Sequence, residues 1–161
     1  MKLQGRRALV TGGNGGIGLA IARAFIAEGA AVAIVGTNED KLATASAMLS
    51  AEGGSVTALR ADLSDRDGCR AAVEEATSSL GGIDICVNGA GVYISRRFED
   101  YTPEEFRRVM AVNVDGPFHI SQAVLPQMVA RGYVRIINIA SSAGKWASRN
   151  QAVYNMSKHA I

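Results

Sequence analysis

Cysteine is scarce, with only Cys69 and Cys86 among 161 residues. Two cysteines make neither a disulfide framework nor a zinc site, so a metal centre is not expected. The pair reads as buried, reduced thiols acting as small apolar side chains, which places the chain in the cytoplasm. Charge of one sign is also missing: 17 basic against 15 acidic residues leave +2, and no Lys/Arg cluster stands out. That balance excludes a nucleic-acid binder that tracks phosphates. No apolar run is long enough to span a membrane, because Arg23 and Glu28 interrupt the most apolar region. The opening Met1–Arg7 leads into an apolar segment cut by Gly12, Gly13, Gly15 and Gly16, which is not the pattern of a signal peptide. Repeats, low-complexity tracts and linkers are absent, and the length suits one domain, spanning 1–161.

What is present is alternation. Hydrophobic residues make up 48% of the chain, and short β-branched runs alternate with helical patterns. Strands are expected over 8–10, 31–35, 56–61, 83–87 and 134–140. Helices are expected over 17–28, from an Asn38 cap to Gly53, and from Ser64 or Asp65 to Leu80. Residues 89–101 read as a loop. Thr102-Pro103-Glu104-Glu105 is a helix start with Thr as N-cap and Glu at N3. That helix is expected to run to about Arg131, bent near Gly116-Pro117, and a last helical segment covers 152–161. Strands that are apolar throughout imply burial on both faces, and the alternation implies right-handed crossovers. The fold expected is α/β, a doubly wound parallel sheet of Rossmann type in a single domain.

Thr11-Gly12-Gly13-Asn14-Gly15-Gly16-Ile17-Gly18 follows the first strand and opens the first helix. So tight a turn needs residues without Cβ, and the helix N-terminus then offers free N–H groups to a pyrophosphate. A flexible turn is the plainer alternative. Asp62 follows the third strand and, alone, reads as a helix cap. Asn88-Gly89-Ala90-Gly91 follows the fourth strand at the same carboxyl edge, where open α/β sheets bind ligands. Tyr154 and Lys158 share one helical face, and Ser141 ends the fifth strand. By itself the Tyr–Lys pair reads equally as a surface pair.

Together these residues resemble the short-chain dehydrogenase/reductase family, over essentially the whole chain. Thr11-Gly12 through Gly16-Ile17-Gly18 matches its T-G-x-x-x-G-I-G motif, and Asp62 its adenine-contacting aspartate. Asn88-Gly89-Ala90-Gly91 resembles N-N-A-G, and Asn113 the helical asparagine. Ser141, thirteen positions before Tyr154, matches the serine, and Tyr154 to Lys158 matches Y-x-x-x-K. The resemblance implies a nicotinamide-dependent oxidoreductase interconverting a ketone and an alcohol. Tyr154 would be general acid or base, and Lys158 would favour its phenolate and hold the nicotinamide ribose. Ser141 would hydrogen-bond the substrate oxygen, and Asn113 would organise a water linking Lys158 to solvent. Cofactor contacts are expected from Thr11, Gly12, Asn14, Gly16, Ile17, Gly18, Gly36, Thr37, Asp62, Leu63, Asn88, Ala90, Gly91 and Lys158. A homodimer or homotetramer is expected of the full-length form.

Three departures matter. Gly89 replaces the second Asn of N-N-A-G. Val134 stands where the family often has Gly; at φ > 0 it would cost about 1–2 kcal/mol, and in extended backbone nothing. The chain also ends three residues past Lys158, so a domain incomplete on its C-terminal side is expected, prone to aggregation and weakly active or inactive alone. Val35-Gly36-Thr37-Asn38 carries no carboxylate at Gly36 to repel a 2′-phosphate, which favours NADP over NAD. Against NADP, Gly15 and Thr37 stand where basic residues are often found. The residues around Ser141 and Lys158 are similar to reductases of β-ketoacyl thioesters. The alternatives are an NAD-linked alcohol, polyol or sugar dehydrogenase, and a non-catalytic dinucleotide-binding redox sensor.

Overall fold

In the computed structural model, which describes residues 1–161, five strands and six α-helices alternate along the chain. The strands are β1 (Arg7–Thr11), β2 (Ala31–Gly36), β3 (Val56–Arg60), β4 (Ile85–Asn88) and β5 (Arg135–Asn138). The helices are α1 (Gly16–Ala27), α2 (Glu39–Ala51), α3 (Arg66–Leu80), α4 (Pro103–Met110), α5 (Gly116–Ala130) and α6 (Ala152–His159). The strands form one sheet in the order β3-β2-β1-β4-β5, every neighbouring pair parallel. This is the doubly wound sheet that the alternation predicts. The chain winds outward from β1 to β3, then crosses back to lay β4 on the other side of β1. The resulting switch point opens a crevice between the carboxyl ends of β1 and β4.

Alternate residues along each strand point to opposite faces, and each face has its own core. Leu9, Ala33, Val35 and Cys86 pack on one side with Val73, Ala76, Ile120, Val124 and Met128 of α3 and α5. Val10, Val32, Ile34, Ile85 and Val87 pack on the other with Ala22, Ile26, Leu42 and Leu49 of α1 and α2. Burial pushes the Cys69 thiol up to about 11 and the Cys86 thiol up to about 12, so both stay protonated as apolar filler. No helix is long and apolar enough to cross a membrane.

The expected helix starts form as the local chemistry dictates. Asn38 accepts from Lys41 N at 2.8 Å, and Asp65, rather than Ser64, accepts from Gly68 N at 2.8 Å. Thr102 and Glu105 form a complete capping box. Two expectations need correction. The long helix over 103–131 is not one bent rod: a π-helical turn, Ala111–Asp115, separates α4 from α5. The break therefore precedes Gly116-Pro117 and centres on Asn113, whose side chain is bonded outside its own helix. The loop over 89–101 also contains a short 3₁₀ turn, Phe98–Asp100. Val134 is harmless, since Asn150 is the one non-glycine residue at positive φ.

β5 is the outer strand, and Ile137 on it is 42% exposed. At the amino ends of the central strands β1 and β4 the sheet is pinned by a fork. Arg7 Nε and Nη2 donate to Asp84 Oδ2 and Oδ1 at 2.8 Å each, and Arg7 N donates to Oδ2 at 3.0 Å. These guanidinium bonds outweigh desolvation and, with the Arg7 N–H, hold the Asp84 carboxyl below the usual carboxylate range. Asp84→Asn is expected to lower the unfolding free energy by about 1.5–3 kcal/mol in urea titrations at neutral pH. A depressed carboxylate stabilises the fold above its unfolded pKa of about 3.9, and that contribution is lost as pH falls through the lower folded value. The gap between wild type and variant should therefore close only in acid below about pH 4; equal midpoints at neutral pH would contradict it.

Candidate active site

The site begins with two glycines that let backbones touch. A Cβ on Gly12, whose φ is +69°, would lie 2.9 Å from both Ala90 N and Gly89 O. A Cβ on Gly18 would lie 2.2 Å from Gly12 O. Without side chains, the turn after β1 closes against the turn after β4 and α1 starts directly above it. Side chains cap α2, α3 and α4, but the first turn of α1 has no side-chain cap. Its N–H groups and the positive end of the helix dipole face the crevice, where Gly15, Ile17 and Gly18 line the wall.

Two connected cavities occupy the carboxyl edge. One, of about 150 Å³, is lined by Gly12, Asn14, Gly36, Thr37, Asp62 and Leu63, with Ala90, Gly91 and Val92 at its inner end. The other, a cleft of about 460 Å³, shares Gly12, Gly91 and Val92 and continues past Ile17 and Gly18 to Ser141, Tyr154 and Lys158. The Ser141 and Tyr–Lys positions, far apart in sequence, thus meet at the end of a groove that starts on the glycine turn.

Three of the expected residues stand behind the groove rather than in it. Thr11 is 1% exposed; its Oγ1 accepts from Gly89 N at 3.0 Å and Ala90 N at 3.1 Å and donates to Val87 O at 3.3 Å. Asn88 turns toward α5 and β5, its Nδ2 donating to Ser121 Oγ at 3.1 Å and Asn138 Oδ1 at 2.8 Å. Asn113 holds the main chain of Val92 at both ends: Oδ1 accepts from Val92 N at 2.7 Å and Nδ2 donates to Val92 O at 2.9 Å. Its second amide hydrogen goes to Ser157 Oγ at 3.0 Å, so both side-chain donors are committed. Gly16 does not line either cavity, although its neighbours do.

The catalytic end is held from several sides. Lys158, 9% exposed, donates from Nζ to Ile139 O at 2.8 Å, and burial keeps its pKa below the usual lysine range. Its Nζ lies 5.9 Å from the Tyr154 ring centroid. Ser141 Oγ accepts from Ala143 N at 3.1 Å and starts the 3₁₀ turn Ser142–Gly144, on which α6 rests. At the other end, beyond the glycine turn, burial pushes the Asp62 carboxyl up. The Ser64 N–H at 2.9 Å and Arg108 at 3.1 Å outweigh that and hold it below the usual range.

Sequence reasoning passed over four contributors. Tyr93 packs edge-on against Tyr154, with ring centroids 5.1 Å apart. Asn155 ties α6 to the preceding turn, donating to Ala143 O and Trp146 O at 2.7 Å each. Ser157 relays Asn113 to Tyr154 O at 2.8 Å. Arg108 meets Asp62 from α4. Asn155 and Ser157 were visible as buried-face polar residues inside Y-x-x-x-K; Tyr93 and Arg108 had no local signal.

Comparison with known proteins matches this geometry. The profile of the short chain dehydrogenase family covers residues 6–161. The chain is 37% identical over 159 residues to a D-beta-hydroxybutyrate dehydrogenase of Cupriavidus necator, covering 99% of this chain and 62% of that protein. It superposes on an NAD+-bound xylitol dehydrogenase with a TM-score of 0.95 at 36% identity, covering 100% of this chain and 62% of the other. It also superposes on a blue fluorescent protein from a metagenomic library in complex with NADPH, with a TM-score of 0.92 at 35% identity, over 99% and 66% of the two chains. The chain spans 52–66% of the length of the curated relatives it matches.

The Thr11 hydroxyl is the sole acceptor drawn for two turn N–H groups, which gives a direct test. Thr11→Val keeps the shape and strands both donors, and should cost about 2–4 kcal/mol in chemical unfolding. Thr11→Ser, which restores the oxygen, should recover most of that loss. Equal stability of the Val and Ser variants would show that the hydroxyl does not hold the turn.

Proposed function

Because the chain belongs to the short-chain dehydrogenase family, we propose that it supplies the cofactor-binding and catalytic part of an oxidoreductase. That enzyme interconverts a ketone and a secondary alcohol with a nicotinamide dinucleotide, NADPH favoured over NADH. The observation that carries this reading is convergence: Ser141, Tyr154 and Lys158 line one cleft that is continuous with the uncapped N-terminus of α1. The fit to a dinucleotide rests on the same surface. A Cβ on Gly15 or Gly16 would meet nothing within 4 Å, so the space above the turn is open to a pyrophosphate.

When bound, the nicotinamide supplies or takes up the hydride. The N–H groups opening α1 would hold the pyrophosphate, and Asp62 and Leu63 would border the adenine. An ammonium has three donors; Lys158 uses one on Ile139 O and would offer the others to the nicotinamide ribose. Tyr154 gives a proton to the carbonyl oxygen in reduction and takes it back in oxidation. Ser141 donates to the same oxygen and stabilises the charge that develops there. Asn113, with both side-chain donors committed, acts by fixing Val92 and Ser157, and its Oδ1 keeps one lone pair for a water that would link Lys158 to solvent.

The substrate reading is a 3-oxoacyl thioester, from the residues about Ser141 and Lys158. A small hydroxy acid or polyol is the second reading, favoured by relatives named for hydroxybutyrate and xylitol. A redox sensor without catalysis has no chemical need for Asn113, Ser141, Tyr154 and Lys158 together. The exposed Phe118, Leu125 and Val129 of α5 support a homo-oligomer of the full-length form, packed through this helix.

Two experiments test the reading. In the full-length enzyme, Tyr154→Phe should abolish ketone reduction while the dinucleotide dissociation constant stays nearly the same, since the ring remains and the proton is lost. Lys158→Ala should damage both. Turnover near normal in the Phe variant would exclude the mechanism. Binding titrations should show NADPH held at least as tightly as NADH, and Gly36→Asp should move the preference toward NADH. A preference of wild type for NADH by tenfold, about 1.4 kcal/mol, would overturn the cofactor assignment.

A further inference from the structure

The stretch that ends β2 carries no cation to meet a 2′-phosphate, yet the sheet brings one from the next strand. Gly36 pairs with Arg60 across β2 and β3, and Ala61 N donates to Gly36 O at 3.0 Å. That register sets the Arg60 guanidinium on the Thr37 main chain, with Nε 3.4 Å from Thr37 O. Gly36, Thr37 and Ala61 line the adenosine-side cavity. Gly36 adds no side chain there, and a Cβ built on it would come within 2.5 Å of Asn14 Nδ2. The rim beside Thr37 is thus bounded by an amide on one side and a guanidinium on the other.

Arg108, the cation that lines this cavity, is directed to the Asp62 carboxylate at 3.1 Å, on the adenine side, whereas Arg60 stands outside the lining, on Thr37 O. Arg60 has only Glu39, at 3.3 Å, and the two side chains are 67% and 75% exposed. An ion pair that open to water is weak and readily exchanged. A phosphate dianion offers more charge and more oxygens to the guanidinium fork than a single glutamate does. We infer that Arg60 is a specificity-determining residue, which releases Glu39 and binds the 2′-phosphate of NADP beside Thr37. This rests on the reading that the cavity takes the adenosine half of a nicotinamide dinucleotide.

The test separates the two. Calorimetric titration of this chain with 2′,5′-ADP and with 5′-AMP isolates the 2′-phosphate, because the nucleotides differ in nothing else. Arg60→Gln is expected to weaken 2′,5′-ADP by about tenfold or more and to leave 5′-AMP unchanged, the latter serving as the folding control. Glu39→Gln is expected to tighten 2′,5′-ADP, since the competing carboxylate is gone. An unchanged ratio of the two affinities in Arg60→Gln overturns the role of Arg60 and leaves the dinucleotide reading intact. Failure of wild type to bind either nucleotide overturns both. A wild-type preference for NADH with the ratio still falling in Arg60→Gln overturns only the choice of NADP as the working cofactor.

Discussion

The carboxyl edge depends on how closely the turns after β1 and β4 can approach. β4 ends at Asn88, and the next two N–H groups need an acceptor that no strand supplies. The Thr11 hydroxyl, at the end of β1, is that acceptor. The approach is possible only because Gly12 has no Cβ to meet Ala90. From this junction a line of hydrogen bonds leads to α6, the helix that carries Tyr154 and Lys158. The fixed turn delivers Val92 to Asn113, Asn113 reaches Ser157, and Ser157 bonds Tyr154 O inside α6. The groove and the Tyr–Lys helix are therefore positioned from the middle of the sheet.

This explains which features could be read from sequence. The strands, the parallel order and the caps at Asn38, Asp65 and Thr102 depend on apolar periodicity and on side chains bonding within three residues, and both are local. The π-helical turn at Ala111–Asp115 is not. It exists where Asn113 is bonded to Val92, 21 residues away, and a helical pattern carries no sign of that contact. The glycine and N-G-A-G motifs mark two turns at the carboxyl edge but not the direction of each side chain. Thr11 and Asn88 lie in the motifs, yet their polar atoms point into the sheet and toward α5, where they hold the turns in place. Arg60 was missed for a geometric reason: counting along the chain from the glycine turn leads to the end of β2, whereas the cation arrives across the β2–β3 register.

The two faces of the sheet are not covered alike. On one face α3 and α5 reach from β3 across to β5, with Leu59 and Ile136 in or against their core. On the other, α1 and α2 share a core with strands β1 to β4, and Ile137 of β5 is left 42% exposed. The outer backbone edge of β5 has no strand beside it in this chain. An apolar residue on a free edge favours association with another strand. The cofactor side of the crevice, built on β1 to β3, thus rests on the better-covered part of the sheet, while Ser141, just past β5, rests on the less-covered part.

Lys158 shows how far the site departs from what stability alone would select. Its ammonium is nearly buried with one carbonyl partner, Ile139 O, and desolvation lowers its proton affinity. A lysine that binds its proton less tightly folded than unfolded costs stability below its folded pKa. The cost lifts as pH rises from that value toward the ordinary one. When protonated, Lys158 therefore carries a charge that its own packing disfavours. The arrangement is tolerable because Ile139 O and the open cleft replace part of the lost hydration, and because two donors of Nζ stay free. Ribose hydroxyls accepting from those donors would stabilise the ammonium. Occupancy of the groove and the charge on Lys158 then reinforce each other.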